Sequence, residues 1–162
     1  MTIFNFTSNS DISNWNIVDD VVMGGRSDGN FRINKDGHGE FLGKVSLDNN
    51  GGFSSLHYDF DTTIVSSYSK FVLRIKGDGK QYQFRVKDNR NHRHSYIYKF
   101  DTTEDWQIIE IPFSEMNAMF RGNNIDILNF EGIQMEKIAI LIGNKKDRKS
   151  TRLNSSHGYI SY

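Results

Sequence analysis

The feature that most constrains the fold is a repeated alternation of apolar and polar residues in short segments. In one segment the apolar Phe71, Leu73 and Ile75 alternate with Val72, Arg74 and Lys76, the period of an extended strand with one face against a core. Similar alternation or strand-like composition marks residues 29–34, 39–46, 54–59, 82–86, 96–100 and 106–112. Such segments recur every 8–12 residues or so, which is typical of an all-β sandwich or barrel. We therefore predict an all-β fold.

One segment differs because it is apolar on both sides. Ile138, Ile140 and Ile142 alternate with Ala139 and Leu141, which predicts a central strand. Helical pattern is sparse, with a turn or two predicted at 114–120 and a second short helix at 124–130. The lone proline, Pro112, is predicted to end a strand because it lacks an N–H for the ladder.

Composition excludes several classes of function. The 162 residues include no cysteine, so disulfides, thiolate zinc sites and iron–sulfur clusters are excluded. Lys and Arg number 20 and Asp and Glu number 20, and this balance argues against a nucleic-acid partner. No apolar run approaches the roughly 18 residues of a membrane span, so no membrane insertion is expected. The N-terminus resembles neither a signal nor a transit peptide, which predicts a cytoplasmic protein.

The charge balance hides an uneven distribution. Residues 145–152 hold five basic groups and one acidic group, a net of 5 − 1 = +4, and residues 1–144 therefore carry −4. The basic tail does not alternate as a core strand would. We predict one domain over residues 1–147 and an atypical tail over 148–162 that is not the natural C-terminus.

Three glycine-rich segments are candidate functional loops: residues 19–27, 47–55 and 76–80. None matches a phosphate-binding loop. The third is predicted to be a strand connection in which glycine supplies a positive φ. The first two each combine a Gly-Gly pair with Asp, Asn or Ser and a large apolar residue, a composition that permits close approach of a partner. They are the predicted binding segments.

Catalytic and metal signals are weaker. Asp19 and Asp20 are sequence neighbours whose side chains would point apart, and no nucleophile motif is present, so the chain is predicted not to be an enzyme and to need no cofactor. His92 and His94 share one face of an extended segment and could bind a metal, but no third ligand is evident, so a solvated loop is favoured. Asp48 with the following asparagines lacks EF-hand spacing. No metal site is predicted. Trp15 and Trp106 are interpreted as core anchors.

Four motifs in order resemble the complex I intermediate-associated protein 30 family. Its diagnostic strings, D-x-V-M-G-G-x-S and N-N-G-G-F-x-S, occur at residues 20–27 and 49–55. The full pattern consists of Trp15 with 19–27, 41–43 with 46–55, 75–80 with Tyr82, and Trp106 with 111–113. The resemblance covers about residues 4–144. It implies a jelly-roll β-sandwich of the galactose-binding-domain-like type.

The resemblance also implies a function. Eukaryotic members of this family are chaperone-like, non-catalytic assembly factors for the mitochondrial NADH dehydrogenase complex. Because its N-terminus does not resemble a transit peptide, this chain is more similar to the short, bacterial members. We therefore expect a protein-binding module whose partner is a respiratory-complex subunit or assembly factor; a carbohydrate-binding jelly roll is the alternative. The predicted binding residues are Asp20, Met23, Gly24, Gly25, Ser27, Asn49, Asn50, Gly51, Gly52, Phe53 and Ser55. These residues would either face a partner or lock two loops together, and the sequence leaves that choice and the oligomeric state open.

Overall fold

The computed structural model describes residues 1–19, 28–45, 52–121, 123–144, 151–153 and 159–161, and nearly all the regular structure is extended. The first strands are β1 (Thr2–Asn5), β2 (Trp15–Asp19), β3 (Asp28–Ile33), β4 (Gly39–Val45), β5 (Gly52–Ile64) and β6 (Lys70–Lys76). They are followed by β7 (Gln81–Lys87), β8 (Ser95–Asp101), β9 (Trp106–Pro112), β10 (Asn117–Phe120), β11 (Asn123–Asn124) and β12 (Gln134–Asn144). Two short strands complete the series, β13 (Thr151–Leu153) and β14 (Tyr159–Ser161). The all-β prediction is confirmed.

Within the described residues, these strands form three antiparallel sheets. One has the order β1-β14-β6-β9, a second the order β11-β10-β8-β7-β12-β5-β2, and a third the order β13-β4-β3. The four-stranded and seven-stranded sheets pack face to face as a β-sandwich. Their shared core includes Phe71 and Ile111 from the first sheet and Phe84, Leu56 and Ile138 from the second. Alternate residues of each strand supply this core, as period-two patterning requires.

Strand β12 is central, as its apolar character predicts. It pairs with β7 on one side and β5 on the other, so that Ala139 lies between Arg85 and His57. Strand β9 ends at Pro112, also as predicted.

The helical predictions are wrong in part. A 3-10 helix occupies only Phe113–Glu115, and the chain then becomes strand β10 over most of the segment predicted as a helical turn. Residues 125–130 form bends and irregular backbone instead of a second helix. Tertiary pairing explains the first difference, because Ala118 and Met119 pair with Tyr96 and Ser95 of β8.

The connection between β6 and β7 confirms the predicted loop at 76–80. Gly79 has a φ of +87°, which favours glycine. Gly77 serves a different need, because a Cβ built on it would lie 2.2 Å from the Cβ of Thr102. The two glycines therefore have distinct roles in a structural turn.

The described part of the basic tail forms two short strands. Strand β13 pairs with β4, and β14 lies between β1 and β6. Residues of the tail thus fill a position inside the four-stranded sheet, although the sequence showed no strand alternation there. The domain boundary at residue 147 remains a prediction.

Within the described parts of the chain, no helix has the length and apolar character needed to cross a membrane.

Candidate binding site

The topology brings the ends of the two predicted binding segments together. Strand β2 ends at Asp19, which pairs with Ser54 near the start of β5, and β3 begins at Asp28, which pairs with Lys44 near the end of β4. Residues 20–27 connect β2 to β3, and residues 46–51 connect β4 to β5. Each segment therefore connects the β2–β5 pair of strands to the β3–β4 pair.

Most of the predicted contact residues lie in these two connections, outside the described residues. They are Asp20, Met23, Gly24, Gly25, Ser27, Asn49, Asn50 and Gly51. Gly52 and Phe53 lie in β5 and pair with Asn144 and Gly143 of β12. Ser55 is the predicted site residue whose side chain the structure describes.

Ser55 lies on the face of the seven-stranded sheet that is turned away from the core. We call this the polar sheet face. Its central residues come from β5, β12 and β7: Ser55, His57, Asp59, Lys137, Ala139, Leu141, Gln83, Arg85 and Lys87. Their strand neighbours, such as Leu56, Ile138 and Phe84, belong to the core. Strand alternation therefore assigns these residues to the opposite face.

Ser55 and His57 form a hydrogen-bonded pair on this face. The Ser55 hydroxyl lies 2.7 Å from Nε2 of His57 and donates to the carbonyl oxygen of Val18 at 3.2 Å. The hydroxyl has one proton, so when it donates to Val18 it accepts the hydrogen bond from Nε2 of His57. Ser55 is only 2% exposed. It can therefore act on a partner through His57, which it orients.

His57 is held neutral by its surroundings. Burial, together with the Lys137 ammonium, lowers its pKa from an ordinary value near 6.5 to about 4, although Asp59 opposes the change. A neutral imidazole at pH 7 can donate at one nitrogen and accept at the other. His57 therefore offers hydrogen bonds without adding positive charge.

Arg85 and Gln83 form the adjoining part of the face. The guanidinium of Arg85 donates to Oε1 of Gln83 from Nε at 3.2 Å and from Nη2 at 2.9 Å. These two hydrogen bonds, the Arg85–Gln83 fork, hold the planar guanidinium in place on the other side of β12 from His57. Lys137 pairs with Asp59 at 3.4 Å, and Lys87 adds a further cation. Three cations against one carboxylate make this part of the face basic, although the body of the chain carries a net negative charge.

The geometry of the Ser–His pair is not that of a nucleophile. The Ser55 hydroxyl is buried and already donates to a backbone carbonyl. Within the part of the chain that the structure describes, no carboxylate hydrogen-bonds to His57 as the third member of a triad would. The pair is built to position donors and acceptors.

The aromatic residues interleaved with basic ones over 82–100 all face the core. Tyr82, Phe84, Tyr96 and Phe100 are buried in the main cluster, and Tyr98 packs against it. The basic residues Arg85, Lys87 and Lys99 alternate with them. These basic residues therefore lie on the face turned away from the core.

Trp15 is a core anchor, as predicted. Its ring stacks on Tyr58 with centroids 4.5 Å apart and an interplanar angle of 8°. Its buried indole N–H finds no acceptor among the described residues. Trp106 instead lies half-exposed beneath the Arg74 guanidinium, which is 4.8 Å from the ring centroid.

The structure also adds residues that the motifs did not single out. His57 and Arg85 were visible only as the polar half of an alternating strand. Near the β7–β8 turn, Asp88 joins His92 and His94, and one ligand atom from each lies within 4.8 Å of the others. The expectation that no third ligand accompanies the two histidines is therefore wrong, because the turn folds Asp88 back onto them.

The two packed antiparallel sheets define a β-sandwich of the jelly-roll, galactose-binding-like fold class. A family model described as complex I intermediate-associated protein 30 matches residues 4–153. The chain belongs to this family. Among curated relatives, the mitochondrial complex I intermediate-associated protein 30 of Mus musculus is 22% identical over 152 residues. That match covers 77% of this chain and 45% of the mouse protein, so the chain spans less than half of that relative.

Solved structures agree on the fold. The family 11 carbohydrate-binding module of Clostridium thermocellum, in complex with a β-1,3-1,4-mixed-linked tetrasaccharide, superposes with a TM-score of 0.66 at 16% identity. The match covers 98% of this chain and 93% of that one. A second structure of the family 11 module, from a cellulosomal cellulase of the same organism, has a TM-score of 0.67, also at 16% identity, with coverages of 99% and 94%. At such identity the likeness establishes the jelly-roll architecture alone.

Proposed function

We propose that this protein is a non-catalytic binding module that holds a protein partner at the two Gly-Gly segments and the adjoining polar sheet face. The partner belongs to the assembly of the respiratory NADH dehydrogenase complex, as either a subunit or an assembly factor. The observation that carries the proposal is the pairing of Asp19 with Ser54 and of Asp28 with Lys44. It brings together the described ends of two segments that carry the family's diagnostic strings.

The composition of the two segments suits recognition of a polypeptide. Asp20, Asn49 and Asn50 would orient partner amides, and the Gly-Gly pairs would permit close backbone approach. Met23 and Phe53 would supply apolar contact. Ser55 lies two residues after Phe53 and connects these segments to His57 on the polar sheet face.

The charge of the polar sheet face favours an acidic partner surface. Arg85, Lys87 and Lys137 outnumber Asp59, and the Gln83 fork holds the Arg85 guanidinium in a fixed plane. A fixed guanidinium suits bidentate pairing with a carboxylate. Partner retention should therefore weaken as salt is raised through the range in which the Debye length falls below about 10 Å.

A structural role for the same segments is the competing explanation. A buried network of carboxylate and amide groups could lock the two connections together. The indole N–H of Trp15 has no acceptor among the described residues, and it could donate a hydrogen bond to such a network. Binding and locking make different predictions for stability.

The test uses the double variant Asp20→Ala, Asn50→Ala. Solubilised NADH dehydrogenase subunits and assembly intermediates are passed over immobilised wild-type and variant protein, and Tm is measured for both. Contact residues predict unchanged Tm with lost retention. A lock predicts that Tm and retention fall together.

The matched control is Asp36→Ala, Asn91→Ala, which makes the same two changes in exposed turns. It should retain the partner as the wild type does. If the wild type retains no component of the complex under conditions that preserve its fold, the proposed function is wrong.

Carbohydrate binding is the second candidate. The half-buried fork of Arg85 and Gln83 beside neutral His57 is a row of donors and acceptors able to orient hydroxyl groups. Against it, the aromatic side chains described in β2, β5, β7 and β8 pack on the core, so none of these forms a stacking platform on the polar face. A glycan array that binds the wild type and not Arg85→Ala would favour this candidate.

A further inference from the structure

The turn between β7 and β8 carries three potential metal ligands that the proposed binding function does not use. Asp88 follows the last residue of β7, and His92 and His94 precede the first residue of β8. The turn lies at one end of the seven-stranded sheet. Its carboxylate and two imidazoles each offer a ligand atom, and these atoms lie within 4.8 Å of one another.

We propose that Asp88, His92 and His94 form a binding site for a borderline divalent transition ion of the Zn²⁺ type. Two imidazole nitrogens and one carboxylate oxygen are a donor set that such ions prefer, whereas Ca²⁺ and Mg²⁺ prefer oxygen alone. Three protein ligands leave the fourth tetrahedral position open to water or to a group from a partner.

The three groups are already close to a coordinating arrangement. Oδ1 of Asp88 lies 2.9 Å from Nδ1 of His92, and the rings of His92 and His94 stack with centroids 5.0 Å apart at 22°. Ligand atoms of a tetrahedral zinc ion lie roughly 3.3 Å apart, given metal–ligand bonds of about 2.0–2.1 Å. Binding an ion would therefore draw together ligand atoms that already lie within 4.8 Å of one another. The hydrogen bond to Asp88 explains the position of the His92 ring, but it does not explain why the His94 ring stacks on the His92 ring.

The backbone around the ligands is held by a set of hydrogen bonds. Oδ1 of Asp88 accepts from the Asn89 N–H at 2.8 Å, and the His92 N–H donates to the Asn89 carbonyl at 3.1 Å. The Lys87 ammonium donates to the His92 carbonyl at 2.6 Å. These contacts keep both ends of the turn in register, so metal binding need not order a loose loop.

Neighbouring strands anchor the turn as well. Gln134 donates to the Asp88 carbonyl at 3.0 Å, and the Arg90 N–H donates to Glu136 at 2.9 Å. His94 is hydrogen-bonded through Nε2 to the Tyr96 hydroxyl at 3.3 Å. A partner on one ring nitrogen of a ligating histidine orients its ring, which is the usual arrangement around protein-bound zinc.

Local charge sets the expected strength of the site. Lys87, Arg90 and Arg93 oppose a dication, while Asp88 and Glu136 attract it. The ammonium of Lys87 is directed to a carbonyl, and Glu136 faces the turn through its bond to Arg90. We therefore expect a moderate affinity that weakens on acidification, because the imidazoles must be neutral to bind.

The experiment titrates the full chain, without a polyhistidine tag and after removal of metals by chelator, with Zn²⁺ alone and with Co²⁺. Calorimetry should give one strong site per chain, and Co²⁺ should give the visible absorption of a tetrahedral complex. At free Zn²⁺ about a hundred times Kd, Tm should rise by roughly 5–10 °C.

Two variants identify the ligands. His92→Gln, His94→Gln should lose about 100-fold or more in Zn²⁺ affinity, since even changes in outer-shell partners cost 10–100-fold or so. Asp88→Asn keeps an acceptor for the Asn89 N–H while removing the charge, and it should lose about 10-fold or more. Both should keep the metal-free Tm. His38→Gln is the matched histidine control and should bind as the wild type does.

Two results would overturn the site. One is the absence of a Zn²⁺-dependent rise in Tm together with no Co²⁺ absorption. The other is binding that persists unchanged in the double histidine variant, which would place the ion elsewhere. If the double variant loses metal and still retains its protein partner, the metal site stands independently of the proposed function.

Discussion

Two histidine-containing regions of this molecule show how burial changes what the same side chain can do. On the polar sheet face, His57 is largely enclosed and hydrogen-bonded to a buried serine. In the β7–β8 turn, the His92 side chain is 47% exposed and hydrogen-bonded to a carboxylate that is 28% exposed. The first is restricted to neutral hydrogen bonding, whereas the second is exposed enough to bind a metal ion.

The strand positions explain this contrast. His57 lies in β5, next to the central strand β12, with Ala139 beside it and Arg85 beyond. His92 and His94 lie in a turn, where solvent can reach the side chains. A rigid strand suits fixed recognition, and an exposed turn anchored at both ends suits coordination.

The largest expected difference between the two regions concerns packing. Ile97 of β8 pairs with Arg85 on the polar sheet face and, although it lies outside the main core, is only 4% exposed. Ile97→Ala should lower the free energy of unfolding by about 2–5 kcal/mol, because it leaves a cavity. Urea denaturation measures the change. Arg93→Ala, an exposed truncation in the turn, should stay within about 0.5 kcal/mol, and equal losses would contradict the contrast.

A second difference concerns pH. The pKa of His57 is lowered to about 4 in the folded protein and returns to about 6.5 in the unfolded chain. Between those values the unfolded chain binds the proton more readily, so the stabilising contribution is complete above pH 6.5 or so and is lost as pH falls toward about 4. We expect a loss of about 1–3 kcal/mol, allowing for partial solvent screening.

His57→Asn isolates that effect, because it keeps a polar side chain and removes the titration. The difference in unfolding free energy between wild type and variant should change across this pH window. A difference that stays constant from pH 7 to pH 4 would show that His57 titrates alike in both states.

The smallest difference concerns the loss of a single hydrogen-bonding side chain from each region. Ser55→Ala leaves the Val18 carbonyl and the His57 ring without a buried partner, and it should cost about 1–2 kcal/mol. Asp88→Ala, measured without metal, removes the acceptor of the Asn89 N–H where water can replace it, and it should cost no more than about 0.5–1 kcal/mol. Chemical denaturation at pH 7 measures both, and a larger cost for Asp88 would reverse the comparison.

Much of the fold could be predicted because strand alternation reports directly on burial. The segment containing Phe71, Leu73 and Ile75 is strand β6, and Ile138 to Ile142 mark the central strand. Strand β10 was missed, because its pairing with β8 is a tertiary contact that overrides weak local propensity. Strand β14 was missed for a similar reason, since its neighbours β1 and β6 are distant in sequence.

The candidate sites were predictable to different degrees. The two Gly-Gly segments were identified by composition and family resemblance. That both connect the same two pairs of strands could be known only from the sheet topology. Ser55 was identified by motif, but its bond to His57 depends on a spacing of two residues along one strand face. Asp88 could not be linked to His92 from spacing alone, because a separation of four residues within a turn does not place two side chains on a common face.

The central position of β12 has a consequence for how the protein acquires its structure. His57 in β5 and Arg85 in β7 become neighbours only through a strand that begins at Gln134, more than forty residues after Arg85. Until that strand is in place, the larger sheet consists of two separate pieces. Proteins dominated by contacts between residues far apart in sequence fold slowly, in roughly milliseconds to seconds. During synthesis, the polar sheet face can therefore form only after most of the chain has left the ribosome.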